Sequence, residues 1–254
     1  MEWFNALILG IVEGVTEFLP VSSTGHLILA SNLLGIEQTD VHKTFEVVIQ
    51  LGSILAVVFA FKEKIFNSLE LWKRLIVGFI PTAVLGLTLY KLIKSLFAPE
   101  TVAYMLVIGG VIFILVELFY KEKDHHIGHV EQVSYKQAFL IGLFQSLAMV
   151  PGTSRSGATI MGGILIGLKR ETATEFSFLL AVPTMLAATA YDMLKHYSEF
   201  DFSQAQALGI GFVTAFIVAL AIIKWFLNFV KKNSFIPFGI YRIIVGVIFL
   251  GVVL

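Results

Sequence analysis

The chain has 254 residues, 57% hydrophobic and 14% charged, with no formal net charge and a mean hydropathy of +0.87. Its charged share falls well below the roughly 25% usual in globular domains, which indicates an integral membrane protein, and zero net charge gives no electrostatic case for a nucleic-acid partner. The sequence holds no cysteine, which excludes disulfides, thiolate metal sites and thiol nucleophiles.

Residues 1–20 do not read as a cleaved leader: they lack a basic n-region, and Glu13 and Glu17 interrupt the apolar run. The N-terminus is therefore expected to stay on the chain. Residues 3–19 and 24–36 are apolar but short, separated by Pro20-Val-Ser-Ser. Two half-length helices joined by a polar turn predict a re-entrant hairpin; two polar-interrupted full spans are the alternative. Three stretches long enough to cross a bilayer follow, at roughly 44–62, 73–92 and 101–120. A polar loop over about 121–134 carries His125, His126 and His129, whose spacing fits no standard ligand pattern. A solvated linker is expected there.

Residues 136–150 and 157–168, separated by Pro151-Gly-Thr-Ser-Arg-Ser, repeat the hairpin pattern, and spans at roughly 172–194, 205–230 and 236–254 complete the chain. Pro81, Pro183 and Pro237 lie in or at the start of spans, where proline is tolerated. The halves also match in register. At one constant offset Gly10 falls on Gly142, Glu13 on Gln145, Ser22 on Ser154 and Gly25 on Gly157, and the run from Phe45 echoes the run from Phe176. The expected fold is all-α and polytopic, one integral membrane domain over 1–254. It comprises two inverted-topology repeats, about 1–120 and 135–254, each a re-entrant hairpin plus three transmembrane helices. Three crossings is an odd number, so the second repeat inserts upside down, and such repeats place their site near the midplane where broken helices meet.

Positive charge orients this scheme. One side carries Lys62, Lys64, Lys73, Arg74, Lys121, Lys123, Lys136, Lys169, Arg170, Lys224, Lys231 and Lys232; the other carries Lys43, Lys91, Lys94 and Lys195. The positive-inside rule makes the richer side cytoplasmic, so the first hairpin enters from outside and the second from the cytoplasm. Gly10-x-x-x-Gly14 and Gly163-x-x-x-Gly167 suit close helix approach and are weak evidence for a homodimer.

Chemistry concentrates in the two turns. Glu13 and Glu17 stand one helical turn apart on one face, where like charges repel and are costly in lipid. A divalent cation answers both problems, and oxygen ligands favour Mg2+ or Ca2+; proton carriage by the pair is the alternative. Ser22, Ser23 and Thr24 precede one helix, and Thr153, Ser154, Arg155 and Ser156 precede another. Two helix N-termini with a guanidinium between them form an anion site, although the serines also serve as caps and Arg155 as a salt-bridge partner. His26, just beyond the first hydroxyls, could act as base, acid or nucleophile. Metal-binding carboxylates, a clamp, hydroxyls and a base are the parts of a phosphoryl-transfer site.

The runs Glu13-Gly-x-Thr-Glu-Phe-Leu-Pro-x-Ser-Ser-Thr-Gly-His26 and Pro151-Gly-x-Ser-Arg-Ser-Gly157 resemble the two signature motifs of the undecaprenyl-pyrophosphate phosphatase family, the bacitracin-resistance proteins. Thr44–Gly52, Glu175–Pro183 and Phe235–Arg242 resemble further family blocks, so the likeness covers nearly the whole chain. It implies a polytopic bacterial inner-membrane enzyme that hydrolyses undecaprenyl pyrophosphate to undecaprenyl phosphate, recycling the carrier for peptidoglycan. It also implies a divalent-cation requirement, an active site facing the outer side, and bacitracin resistance. On this reading Glu13 and Glu17 hold the metal, and Arg155 and both helix N-termini bind the pyrophosphate, with Ser22, Thr24, Thr153, Ser154, Ser156 and Gln145 as further contacts. Ser23, His26 or a metal-activated water is the nucleophile. Glu46, Gln50 and Arg242 are secondary candidates; Glu46 would otherwise be a buried hydrogen-bonded acid and Arg242 a snorkelling anchor. The prenyl tail is expected in a lipid-open groove lined partly by the Phe-rich spans. A proton-coupled lipid carrier is the rival; a non-catalytic scaffold leaves the polar motifs unexplained.

Overall fold

A computed structural model describes residues 2–37, 39–195 and 205–253. Among these residues the regular structure is helical apart from one isolated bridge, Ile127 with Leu168. The first hairpin is α1 (Trp3–Thr16) and α2 (Ser23–Leu33). Then come α3 (Asp40–Ala60), the short α4 (Lys62–Asn67), α5 (Leu69–Thr88), the short α6 (Tyr90–Ser95) and α7 (Pro99–Phe119). The second hairpin is α8 (Tyr135–Ser146) and α9 (Arg155–Leu165), followed by α10 (Arg170–Lys195), α11 (Ala205–Val230) and α12 (Ile236–Val253).

α2 and α9 have 11 residues each. At 1.5 Å per residue they rise about 16 Å, half of a hydrocarbon core of about 30 Å. Five of the expected spans are long and apolar enough to cross a membrane: Val41–Ala60, Leu69–Thr88, Pro99–Phe119, Arg170–Tyr191 and Ala205–Val230. α12 is apolar but shorter. The protein is a multi-pass membrane protein.

Helix starts differ from those read off hydropathy because capping side chains set them. Thr39 accepts from His42 N and Ser68 from Leu71 N, so α3 and α5 begin with polar turns ahead of their apolar runs. α5 also ends earlier than expected, at Thr88, before α6. The linker corrects the expectation of a merely solvated loop. Val130 and Val133 are fully buried, and Ile127 exchanges backbone hydrogen bonds with Gly167 and Lys169. Its three histidines do not converge on a metal-binding group among the described residues.

Close backbone contacts fix how the hairpins sit. α1 runs alongside α11 in the same direction: a Cβ at Gly10 would meet Gly211 O at 2.7 Å, and one at Gly14 would meet Ala215 O at 2.8 Å. α8 runs likewise beside α5, with Gly142 against Gly78, and Thr82 bonded to Gly142 O and Ser146 Oγ. Each hairpin therefore packs on a span of the other half. Gly163 meets Ala173 of α10. Gly10, Gly14 and Gly163 are thus packed within one chain, whereas a Cβ at Gly167 would meet nothing within 4 Å.

One end of the bundle is tied by ion pairs. Lys64 reaches Glu175 at 2.6 Å and Glu131 at 3.3 Å, Lys231 reaches Glu171 at 3.1 Å, and Arg170 reaches Glu117 at 2.7 Å. These join α4 and the ends of α7, α10 and α11 with the linker, gathering the lysine-rich loops together. The core lies between, rich in phenylalanine. Phe226 packs on Phe238 at 5.2 Å and Phe18 on Phe178 at 5.1 Å, all four buried. Other phenylalanines, Phe59, Phe66, Phe97 and Phe119 among them, are exposed.

Candidate active site

Both hairpin turns end in a strained residue. Ser22 and Ser154 each sit at φ 73°, the only non-glycine residues at positive φ among those described. This left-handed backbone costs of order 1–3 kcal/mol and persists where surroundings over-determine it, as at functional sites. Each is the N-cap of the helix that follows, but they cap differently. Ser154 Oγ accepts from Gly157 N at 3.1 Å, whereas the Ser22 side chain makes no cap bond. The first N–H groups of α2 are therefore left without a side-chain acceptor and can bind an anion.

The turns meet. Ser156 Oγ donates to Leu19 O at 2.9 Å. Arg242, with no exposed surface, donates to Pro20 O at 3.1 Å and to Gly152 O and Met105 O at 3.0 Å, with its plane over Phe113. One guanidinium thus holds a carbonyl from each turn. It is neither a snorkelling anchor nor a wall of the site, correcting both readings of Arg242. A buried cation facing only carbonyl dipoles must keep all of them to offset its desolvation.

Where the turns join lies a cavity of ≈ 200 Å³. Its polar wall is Glu17, Ser22, Ser23, Thr24, Ser154 and Arg155; its apolar wall includes Phe97, Met149 and Met185. Ser23 Oγ donates to Glu17 Oε2 at 2.5 Å. Arg155 donates to Glu17 Oε1 at 2.9 Å and to Ser177 O at 3.1 Å, with its plane over Phe18. Glu17 therefore binds a hydroxyl on one oxygen and a guanidinium on the other. Gln50 also lines the cavity.

Glu13 lies behind Glu17, fully buried, and neither of its oxygens has a hydrogen-bond partner. A naked carboxylate at this depth is costly. Glu17 and Glu46 add like charge around it, while Arg155 opposes them. Its repeat counterpart Gln145 is neutral and satisfied, donating to Thr82 Oγ1 at 2.9 Å and Thr184 Oγ1 at 3.1 Å. An orphaned carboxylate beside a second one, with hydroxyls near, fits a hard divalent cation. No third carboxylate or histidine joins them as a metal-binding group among the described residues, so an ion held there would take its remaining ligands from substrate oxygens and water.

Several expected contacts sit elsewhere. Gln145, Thr153 and Ser156 are outside the cavity wall: Gln145 is held by threonines, Ser156 ties the turns, and Thr153 Oγ1 is buried without a partner. Glu46 pairs with His42 at 3.2 Å. His26 turns away from the serine hydroxyls. Its Nδ1 meets Ser22 O at 2.8 Å and its Nε2 meets the Tyr241 hydroxyl at 2.8 Å. Tyr241 was missed in the sequence reading, although it lies within a block quoted for its family likeness.

The family described as "Bacitracin resistance protein BacA" matches residues 6–248. The chain is 63% identical, over the full length of both, to an undecaprenyl-diphosphatase of Persephonella marina. It is 62% identical to one of a Sulfurihydrogenibium species and 58% identical to one of Wolinella succinogenes, over 98% of each chain. The chain belongs to the BacA bacitracin-resistance family.

Proposed function

We propose that this protein is a membrane-embedded phosphatase that hydrolyses undecaprenyl diphosphate to undecaprenyl phosphate and inorganic phosphate, recycling the lipid carrier of peptidoglycan synthesis and conferring bacitracin resistance. The names of its relatives over whole chains support the substrate. The observation that carries the chemistry is the Ser23–Glu17–Arg155 chain of contacts on the cavity wall.

Ser23 is the nucleophile this geometry favours. Its hydroxyl already points its proton at a carboxylate. Glu17 takes that proton as Oγ attacks the terminal phosphorus; the Oγ–P bond forms, the bridging P–O bond breaks, and undecaprenyl phosphate leaves. Water then attacks the phosphoserine, inorganic phosphate departs, and Ser23 regains its proton from Glu17. Arg155 and the free N–H groups of α2 meet the charge on the phosphoryl oxygens. Thr24 and Ser154 place further hydroxyls on the same wall. Glu13 and Glu17 would hold a Mg2+ or Ca2+ ion, which supplies positive charge to the diphosphate when bound. The prenyl tail would leave past Phe97 and Met185.

The reciprocal packing of α1 on α11 and α8 on α5, with matching Ser22 and Ser154, supports two inverted-topology repeats with re-entrant hairpins. We place the ion-paired, lysine-rich end at the cytoplasm of a bacterial inner membrane. Phe97 and Ala188 in the cavity wall lie toward the other end, which supports a site facing outward. A lipid carrier would need the anion clamp but not a hydroxyl held on a carboxylate.

Phosphate release from farnesyl or undecaprenyl diphosphate by detergent-purified protein tests the reading, with Mg2+, with Ca2+ and with EDTA. Metal-dependent release is expected. No release from folded protein under either metal would overturn it.

A further inference from the structure

His26 has both ring nitrogens committed. A carbonyl can only accept, so the 2.8 Å contact with Ser22 O puts the proton on Nδ1. In the neutral ring Nε2 is then the acceptor, and the Tyr241 hydroxyl at 2.8 Å is its donor. The two rings lie within 8° of parallel with centroids 5.6 Å apart. Among the described residues, the charged side chain that bears on the imidazole is Arg242, next in sequence to Tyr241. Arg242 is itself bonded to the carbonyls of Pro20 and Gly152.

The Ser22 carbonyl that Nδ1–H grips belongs to the strained residue at φ 73°, directly before Ser23. Local strain of this kind needs external bonds to hold it. We propose that Tyr241 is a positioning residue: by occupying Nε2 it locks His26 in the Nδ1–H tautomer, which clamps the Ser22 carbonyl and aims the Ser23 hydroxyl at Glu17. His26 then acts through the backbone and is not the group that attacks phosphorus. The kinetic arm of this inference rests on the phosphatase reading; the tautomer does not.

The test is 15N NMR of histidine-labelled protein in detergent, with kinetics of Tyr241→Phe. In wild type, the His26 Nδ1 should carry the proton, with Nε2 a hydrogen-bonded acceptor. In Tyr241→Phe the Nε2 resonance should move, and kcat should fall about tenfold, the worth of one good hydrogen bond, with KM within about twofold. An Nε2–H tautomer in wild type would overturn the proposal without needing a variant. So would Tyr241→Phe with both His26 nitrogens and kcat as in wild type. Wild-type protein with the Nδ1–H tautomer but no phosphate release would support the positioning contact and count against the phosphatase reading instead.

Discussion

Ser23 and Glu17 lie on either side of the first turn, and the hydroxyl of one rests 2.5 Å from the carboxylate of the other. Arg155, from the second turn, takes the opposite carboxylate oxygen. On the proposed mechanism, base and nucleophile come from one hairpin and charge neutralisation from the other, so neither turn alone makes a site. Removing either member of the first pair should be nearly as damaging as removing both. Ser23→Ala and Glu17→Gln are each expected to lower kcat by about 10²–10⁴, with the double variant little worse. Steady-state phosphate release from the three variants checks this.

Arg155→Lys keeps the charge but loses the fork that reaches Glu17 and Ser177 O together. We expect kcat/KM to fall by about 10²-fold despite the conserved charge. A lysine variant within a few-fold of wild type would mean that only the charge matters.

Arg242→Lys should act on stability. The ammonium cannot reach the carbonyls of Pro20, Met105 and Gly152 from one position, and each hydrogen bond to a charged group is worth about 1.5–3 kcal/mol. A loss of several kcal/mol is expected, read as a lower Tm in detergent. Arg242→Lys melting with wild-type protein would contradict the clamp.

Glycines separate packing from flexibility. Gly10→Ala pushes a methyl group into Gly211 and should cost about 1–3 kcal/mol. Gly209, on the same helix as Gly211, has nothing within 4 Å of an added Cβ, so Gly209→Ala should be neutral or stabilising by roughly 0.5–1 kcal/mol. Paired thermal melts of the two variants read the difference directly.

What could be read from sequence follows from the cost of polarity in lipid. Glu13, Glu17 and Arg155 stood out because apolar runs do not carry charge without cause, and two of them line up in one contact chain. The half-length hairpin helices were legible from Pro20 and Pro151 and the serines around them. Gln145 misled because its match to Glu13 is positional: as an amide it satisfies itself between Thr82 and Thr184. Proximity in sequence to Ser23 says nothing of where the His26 ring points. Its real partner, Tyr241, is 215 residues away. Arg242 stood between a secondary site residue and a snorkelling anchor because its acceptors are backbone carbonyls, which leave no trace in side-chain patterns. Phenylalanine content does not tell an inward face from an outward one: Phe18 and Phe226 are buried while Phe59 and Phe119 are exposed.

The most direct test of the central claim is a quenched reaction of wild-type protein with farnesyl diphosphate labelled at its terminal phosphate, followed by peptide mapping. The account predicts label on Ser23, and none after Ser23→Ala, which should also lose activity. An unlabelled Ser23 during turnover, together with full phosphate release by Ser23→Ala, would contradict it.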